Sequence, residues 1–293
     1  MSADAAGGWI DYWCNAFTPP MQALWDRAIA EQGIPLKIRR DPEDSFVDRA
    51  GMLARMDELA IRTLVLPSAE AGERAGPTDY EPFTTPGAEV RELARRFPGR
   101  FAGLVTLDPS HGMIGVERAA ARASEPGFIG LHLHTHSWDR PFDHRDFYPF
   151  YALAADLDLP VVVQAGASGG RMASECGRPI GIDRPALYFG RVRFVLSHTG
   201  WPWVDEALAM ALKHPNVWLG TAAYPPHHWS PDLVRFIDGA GRGKVLLGTS
   251  FPTVGHRHAL ARLDRLGLSG EARRELVGGA ARRVFTKLDE ADA

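Results

Sequence analysis

Eight short apolar runs recur along the chain, with helix-like stretches between them. They are Trp9 to Trp13, Ile61 to Pro67, Phe101 to Pro109, Gly127 to His136, Leu159 to Gly166, Val192 to Gly200, Asn216 to Ala222 and Lys244 to Ser250. Several are almost continuously apolar rather than alternating, the pattern of parallel strands covered on both faces. Helices are predicted around residues 20–32, 46–60, 87–97, 113–125, 148–158, 202–213, 231–240 and 257–266, with a terminal helix over 270–286. The alternation predicts an α/β fold, a closed (β/α)8 TIM barrel forming a single domain over 1–293. An open doubly wound sheet fits less well, because no glycine-rich phosphate loop follows the first strand.

Three segments interrupt the pattern. Residues 33–40 are expected to add a short strand to the first crossover. Two loop insertions follow strands four and five, at about 137–147 and 166–190. Both start at strand C-termini, where a barrel carries its chemistry, and loops of that length call for a role such as a lid, a substrate wall or a dimer contact.

Composition narrows the function classes. Charged residues make up 24% of the chain and the formal net charge is -3, with lysine and arginine scattered, so no nucleic-acid surface is expected. No apolar stretch is long enough to cross a membrane. No secretory leader pattern is seen, and a cytoplasmic location is the expectation. Cys14 and Cys176 allow one disulfide at most and form no disulfide framework.

The placement of the histidines carries the chemistry. His132, His134 and His136 take alternate positions of the fourth strand and its exit. With a period of two, Gly130, His132 and His134 face the barrel interior, and Ile129, Leu131 and Leu133 face the helices. His198 closes the sixth strand, and Gly248-Thr249-Ser250 closes the eighth. Asp11 shares a period-two face with Trp13 and Asn15, so it is a candidate to orient an imidazole or move a proton. Trp13, Trp138, Trp201, Trp203, Trp218 and Trp229 are expected near the same rim, where an aromatic wall with convergent imidazoles suits a small, partly apolar substrate. Arg171 and Arg178, in the second insertion, are candidate clamps for a carboxylate. Buried core histidines and solvated loop arginines are the competing structural readings.

In order and spacing, the pieces IDYWCN, GFIGLHLH, LPVVVQAG, VRFVLSHTGW, NVWLGTA, KVLLGTSFP and LVGGAARRVF resemble the amidohydrolase-related family. That branch includes aminocarboxymuconate semialdehyde decarboxylase, hydroxybenzoate-type decarboxylases and dicarboxylate lactone hydrolases. The resemblance implies a barrel of the metal-dependent hydrolase type, a hydrolase or non-oxidative decarboxylase acting on small carboxylated or aromatic molecules, and a homodimer. It also implies a metal site, which this chain departs from. The usual Asp-x-His-x-His of the first strand reads Asp11, Trp13 and Asn15. The fifth-strand histidine is Gln164, the eighth-strand aspartate is Ser250, and the Asn-Ala of the terminal helix is Ala280-Ala281. Only His198 is kept.

Zinc takes three or four Cys, His or carboxylate ligands, which these replacements do not supply. Three readings follow. The favoured one is a metal-free enzyme. His134 and His198, with Asp11, supply acid–base chemistry, and Trp13, Asn15, His132, His136, Gln164, Arg171 and Ser250 hold the substrate. A second places zinc or manganese at a displaced site of His132, His134, His136 and His198. A third is a non-catalytic binder on a degenerate barrel.

Overall fold

The computed structural model describes residues 8–32, 44–69 and 85–288, so the extra strand expected at 33–40 lies outside the described residues. The strands are β1 (Trp9–Asp11), β2 (Ile61–Ala69), β3 (Thr85–Pro86), β4 (Phe101–Thr106), β5 (Phe128–Leu133), β6 (Val161–Gln164), β7 (Phe194–Ser197), β8 (Val217–Gly220) and β9 (Val245–Leu246). Each of the eight predicted runs holds one of them, and β3 is a two-residue addition beside the end of β2. All pairings are parallel in the order β1-β2-β4-β5-β6-β7-β8-β9. Closure follows where the chain runs on past β9. Tyr12 N donates to Leu247 O at 3.2 Å, Ser250 N to Trp13 O at 2.8 Å and Asn15 N to Phe251 O at 3.1 Å. The result is a (β/α)8 TIM barrel.

The expected helices appear as Pro19–Gln32, Arg49–Glu58, Gly87–Arg96, Met113–Ala123, Tyr148–Asp156, Val204–Lys213, Pro231–Asp238 and His256–Leu263. Local chemistry starts them: the Asp48 carboxylate accepts from Gly51 N at 2.7 Å, and the Ser230 hydroxyl accepts from Leu233 N at 3.2 Å, each filling an orphan helix donor. Two helices were not expected: the short Thr135–Trp138, which replaces the end of the fourth predicted strand run, and a second in the crossover. Asp183–Tyr188 lies inside the second insertion and supplies the β6–β7 crossover, so only the first part of that segment is loop over the mouth. The first insertion is largely structural. Phe142 and Phe147 are fully buried, and Tyr151 Oη donates to Phe142 O at 2.9 Å.

Two apolar layers result. The outer one, between sheet and helices, holds Leu131, Leu133, Val161 and Val163. The inner one fills the barrel with Ile10, Tyr12, Val65, Leu104, Val162 and Val195. Ile129 belongs to the inner layer, contrary to strict alternation, because the β4–β5 register slips at this point, with Phe128 opposite Gly103 and Gly130 opposite Leu104. Tyr12 plugs the barrel centre, its hydroxyl 2.7 Å from Ser197 Oγ. Gly220 makes room for it, since a Cβ there would stand 2.1 Å from the Tyr12 hydroxyl.

Candidate functional site

β5 delivers the imidazoles. His132 points inward with its Nδ1 3.2 Å from Thr106 Oγ1, and its Nε2 has no partner. The indole of Trp13 meets it edge-on at 4.6 Å and meets His198 at 5.8 Å. His134 leaves the strand as the cap of the short helix Thr135–Trp138, and its Nδ1 is hydrogen-bonded to Ser137 Oγ. His136 turns back under the loop and is hydrogen-bonded through Nε2 to Gly166 O at 2.8 Å. Gly177 packs so closely there that a Cβ would stand 2.4 Å from that nitrogen. Adjacent rings are 6.2 Å apart for His132 and His134, and 5.6 Å for His134 and His136.

His198 sits on strained backbone. Its φ is +63°, followed by +57° at Thr199 and +74° at Gly200, and left-handed geometry at non-glycine residues clusters at working sites. Ser250, at the end of the eighth barrel strand, shares it with φ +52°. The His198 Nδ1 is buried without a partner. His134, Gln164 and His198 are partly accessible, whereas Trp13, Asn15, His132, His136 and Ser250 form a buried floor and wall.

Burial is the main cause of the electrostatics, with neighbouring rings adding to it. Desolvation, then the charge of His198, pushes the His132 imidazole down to about 3. His198 falls to about 3 through desolvation and the charge of His136. His134 is held well below the ordinary imidazole range by desolvation and then by His136, His132 and His198, with a hydrogen bond to the Gln164 side chain acting the other way. His136 is lowered by burial, and its bond to Gly166 opposes the shift.

This neutral cluster has a measurable consequence. Below pH 6.5 the unfolded chain protonates these histidines, whereas folded His132 and His198 stay neutral down to about 3. The unfolded state is then the better proton binder, so stability falls as pH drops from about 6.5 toward 3 and is regained as pH rises. Each such histidine contributes a slope of up to ~1.4 kcal/mol per pH unit. Urea midpoints measured from pH 7 to 4 should decline steeply for the wild type and less steeply for His132→Asn. A flat wild-type profile would contradict the neutral cluster.

Several expectations need correction. Asp11 does not reach the cup. β1 ends there and the chain bends at Tyr12, which resets the alternation: Tyr12 and Trp13 face inward, while Trp9 and Cys14 lie in the outer layer. The Asp11 carboxylate has no exposure and accepts from Trp13 N at 3.1 Å, Thr249 N at 2.9 Å, Thr249 Oγ1 at 2.5 Å and His256 Nε2 at 3.2 Å. Asn15 is not a free donor, because its Nδ2 donates to Ser250 Oγ at 3.1 Å, Ser250 O at 3.2 Å and Phe251 O at 3.0 Å. Arg178 is no clamp. It pairs with Glu206 and, at 3.4 Å, with Glu175, and lies over Trp203. Arg171 is exposed on the loop over the mouth. Trp218 belongs to the other end of the barrel, its indole donating to Gly243 O at 3.2 Å. Both cysteines are free.

Ser137 and Thr106, which fix the rings of His134 and His132, were missed. A hydroxyl three residues after His134, at a helix start, is the one sequence signal that could have found Ser137. Thr106 needed the β4–β5 register.

The metal-site positions can now be tested on their chemistry. Trp13 Nε1 donates to Asn15 Oδ1 at 3.1 Å, and the Asn15 amide is spent on Ser250 and Phe251, so three of the five positions are tied to one another. An indole N–H and an amide nitrogen offer a cation no lone pair. These residues do not fit a divalent ion held in the usual way. Neighbouring rings of the displaced four-histidine site stand 6.2 Å apart for His132 and His134 and 5.6 Å apart for His134 and His136. Among the described residues, the group of three metal-capable side chains with donor atoms all within 4.8 Å of one another is Asp11, Cys14 and His256.

Comparison with known proteins bears out the resemblance. The amidohydrolase family model matches residues 10–287. The 2-keto-4-carboxy-3-hexenedioate hydratase of a Sphingobium species is 26% identical over 245 residues, covering 68% of this chain and 70% of that protein. Decarboxylase orsB of Emericella nidulans is 29% identical over 154 residues, which is 50% of this chain and 39% of that protein. Among solved structures, the 5-carboxyvanillate decarboxylase of Novosphingobium aromaticivorans, with bound manganese and a nitrobenzoic acid, shares the fold. The TM-score is 0.69 at 15% identity, covering 98% of this chain and 99% of the other. No helix among the described residues is long and apolar enough to cross a membrane.

Proposed function

The chain belongs to the amidohydrolase family of enzymes, and from that premise we propose that it is a lyase, of decarboxylase or hydratase type, which handles a small carboxylated aromatic or unsaturated substrate without a metal in the cup. What carries the reading is the linked set Trp13, Asn15 and Ser250. It fills the usual ligand positions with a hydrogen-bonded wall and leaves His132 Nε2 and His198 Nδ1 unpartnered below the mouth.

Decarboxylation breaks the bond to the carboxylate carbon, releases carbon dioxide and gives the remaining carbon a proton. Hydration places a proton on one carbon and hydroxide on its neighbour. Both deliver a proton to carbon, and a neutral imidazole does this as a relay, giving up its N–H proton to the carbon while its other nitrogen takes one from water. His198 and His134 are the partly accessible rings, so they take the proton-handling roles. His132, His136 and Trp13 shape the floor, with Trp13 offering an aromatic face to a planar substrate. The Ser250 hydroxyl accepts from Asn15 and keeps its own hydrogen for a substrate oxygen. Arg171, at the rim, meets the carboxylate as it enters. The relatives' carboxylated substrates support the substrate class.

The test is turnover of carboxylated phenols and unsaturated keto acids by enzyme dialysed against a strong chelator, with metal content counted on the same sample. The expected result is activity within about twofold of the undialysed enzyme. Activity that disappears and returns in proportion to added manganese would overturn the metal-independent reading. Tight binding with no product would instead support a binding protein.

A further inference from the structure

We infer that the barrel seam carries a second site, outside the cup, in which Asp11, Cys14 and His256 bind one zinc-class divalent ion. All three side chains have no solvent exposure, and their donor atoms lie within 4.8 Å of one another. They arrive from separate pieces of chain that barrel closure brings together: the end of β1, the bridge between Cys14 and Phe251, and the first residue of helix His256–Leu263.

The spacing suits an ion. His256 Nε2 and Asp11 Oδ2 stand 3.2 Å apart. Two donors about 2.1 Å from a common tetrahedral centre stand roughly 3.4 Å apart. Charge suits it as well, because a divalent ion held by a thiolate, a carboxylate and a neutral imidazole is neutral overall, and a neutral group is the cheapest to bury. Binding releases the Cys14 thiol proton to solvent, and the ion takes the lone pair that the proton held. The thiolate selects against magnesium and calcium and in favour of zinc or cobalt.

Two observations stand beside the geometry. The hydrogen bonds present leave one ligand nearly unused: the Cys14 thiol reaches only Asn15 O at 3.4 Å, while Asp11 Oδ2 and His256 Nε2 bond to each other, a contact the ion would replace. The surrounding shell is aromatic, with Phe251 stacked on His256 at 5.1 Å and Trp9 edge-on at 6.1 Å. Thr249 contacts Asp11 as a neutral neighbour. Arg55 lies over Phe251, and the charge of Asp44 offsets its own.

The experiment is expression of the whole protein in cobalt-supplemented medium, followed by metal analysis and absorption spectroscopy. One cobalt per chain is expected, with a thiolate-to-cobalt charge-transfer band in the near ultraviolet. Cys14→Ser should lose the band and at least tenfold in retained metal, while Cys176→Ser and His198→Asn keep both. The wild-type spectrum decides even if the Cys14 variant folds poorly. No retained cobalt, cobalt without a thiolate band, or a band that follows Cys176 would overturn the site. Metal that follows His198 and not Cys14 would instead overturn the metal-free cup, so the two failures are distinguishable.

Discussion

Replacing His198 with asparagine should lower kcat about 10²–10⁴-fold, the range that positioned acid–base groups supply. The fold should survive, because His198 makes no buried ion pair and its Nδ1 is unpartnered. The strained turn from His198 to Gly200 is compatible with asparagine, which tolerates left-handed backbone better than most residues. Turnover of a confirmed carboxylated substrate is the measurement, with circular dichroism and a urea midpoint as fold controls. His214→Asn is the useful comparison. That ring is also buried, but it pairs with Asp183 at 2.7 Å at the end of a helix, remote from the cup. It should change stability and leave kcat nearly untouched. A fully active His198→Asn enzyme would remove His198 from the chemistry.

Asp11→Ala should destabilise the protein by several kcal/mol, because each buried donor left without its acceptor costs about 1–3 kcal/mol. His256 would lose its partner at a position with no solvent exposure, and the N–H groups of Trp13 and Thr249 would lose their acceptor. Since domains are stable by only about 5–15 kcal/mol, much of the variant should be unfolded on expression. Asp11→Asn keeps an acceptor in place and should cost less. The urea midpoint checks both. Were Asp11 instead a catalytic group of the cup, Asp11→Asn would abolish turnover at unchanged stability. That result would contradict its position on the outer face of the seam.

The two variants separate roles that the sequence ran together. Asp11, Trp13 and Asn15 alternate in the string, and a period of two would place them on one face. The bend at Tyr12 breaks that period after one residue, so the carboxylate serves the barrel closure and the indole serves the cup. The His132, His134 and His136 run was more legible. His132 does face inward, since β5 continues to Leu133, but His134 and His136 owe their directions to the short helix that follows.

The sequence by itself determined the strand positions, the parallel barrel, the family and the loss of the usual ligand residues. Continuous apolar runs and ligand identities are local properties that no packing can alter. Only the tertiary structure decided which polar groups meet. The pairing of Asp11 with His256 spans 245 residues, and the bond between Asn15 and Ser250 spans 235. Neutrality of the imidazoles was likewise undecided in the string, because it follows from burial and from the rings' mutual proximity, and both exist only once the barrel has closed.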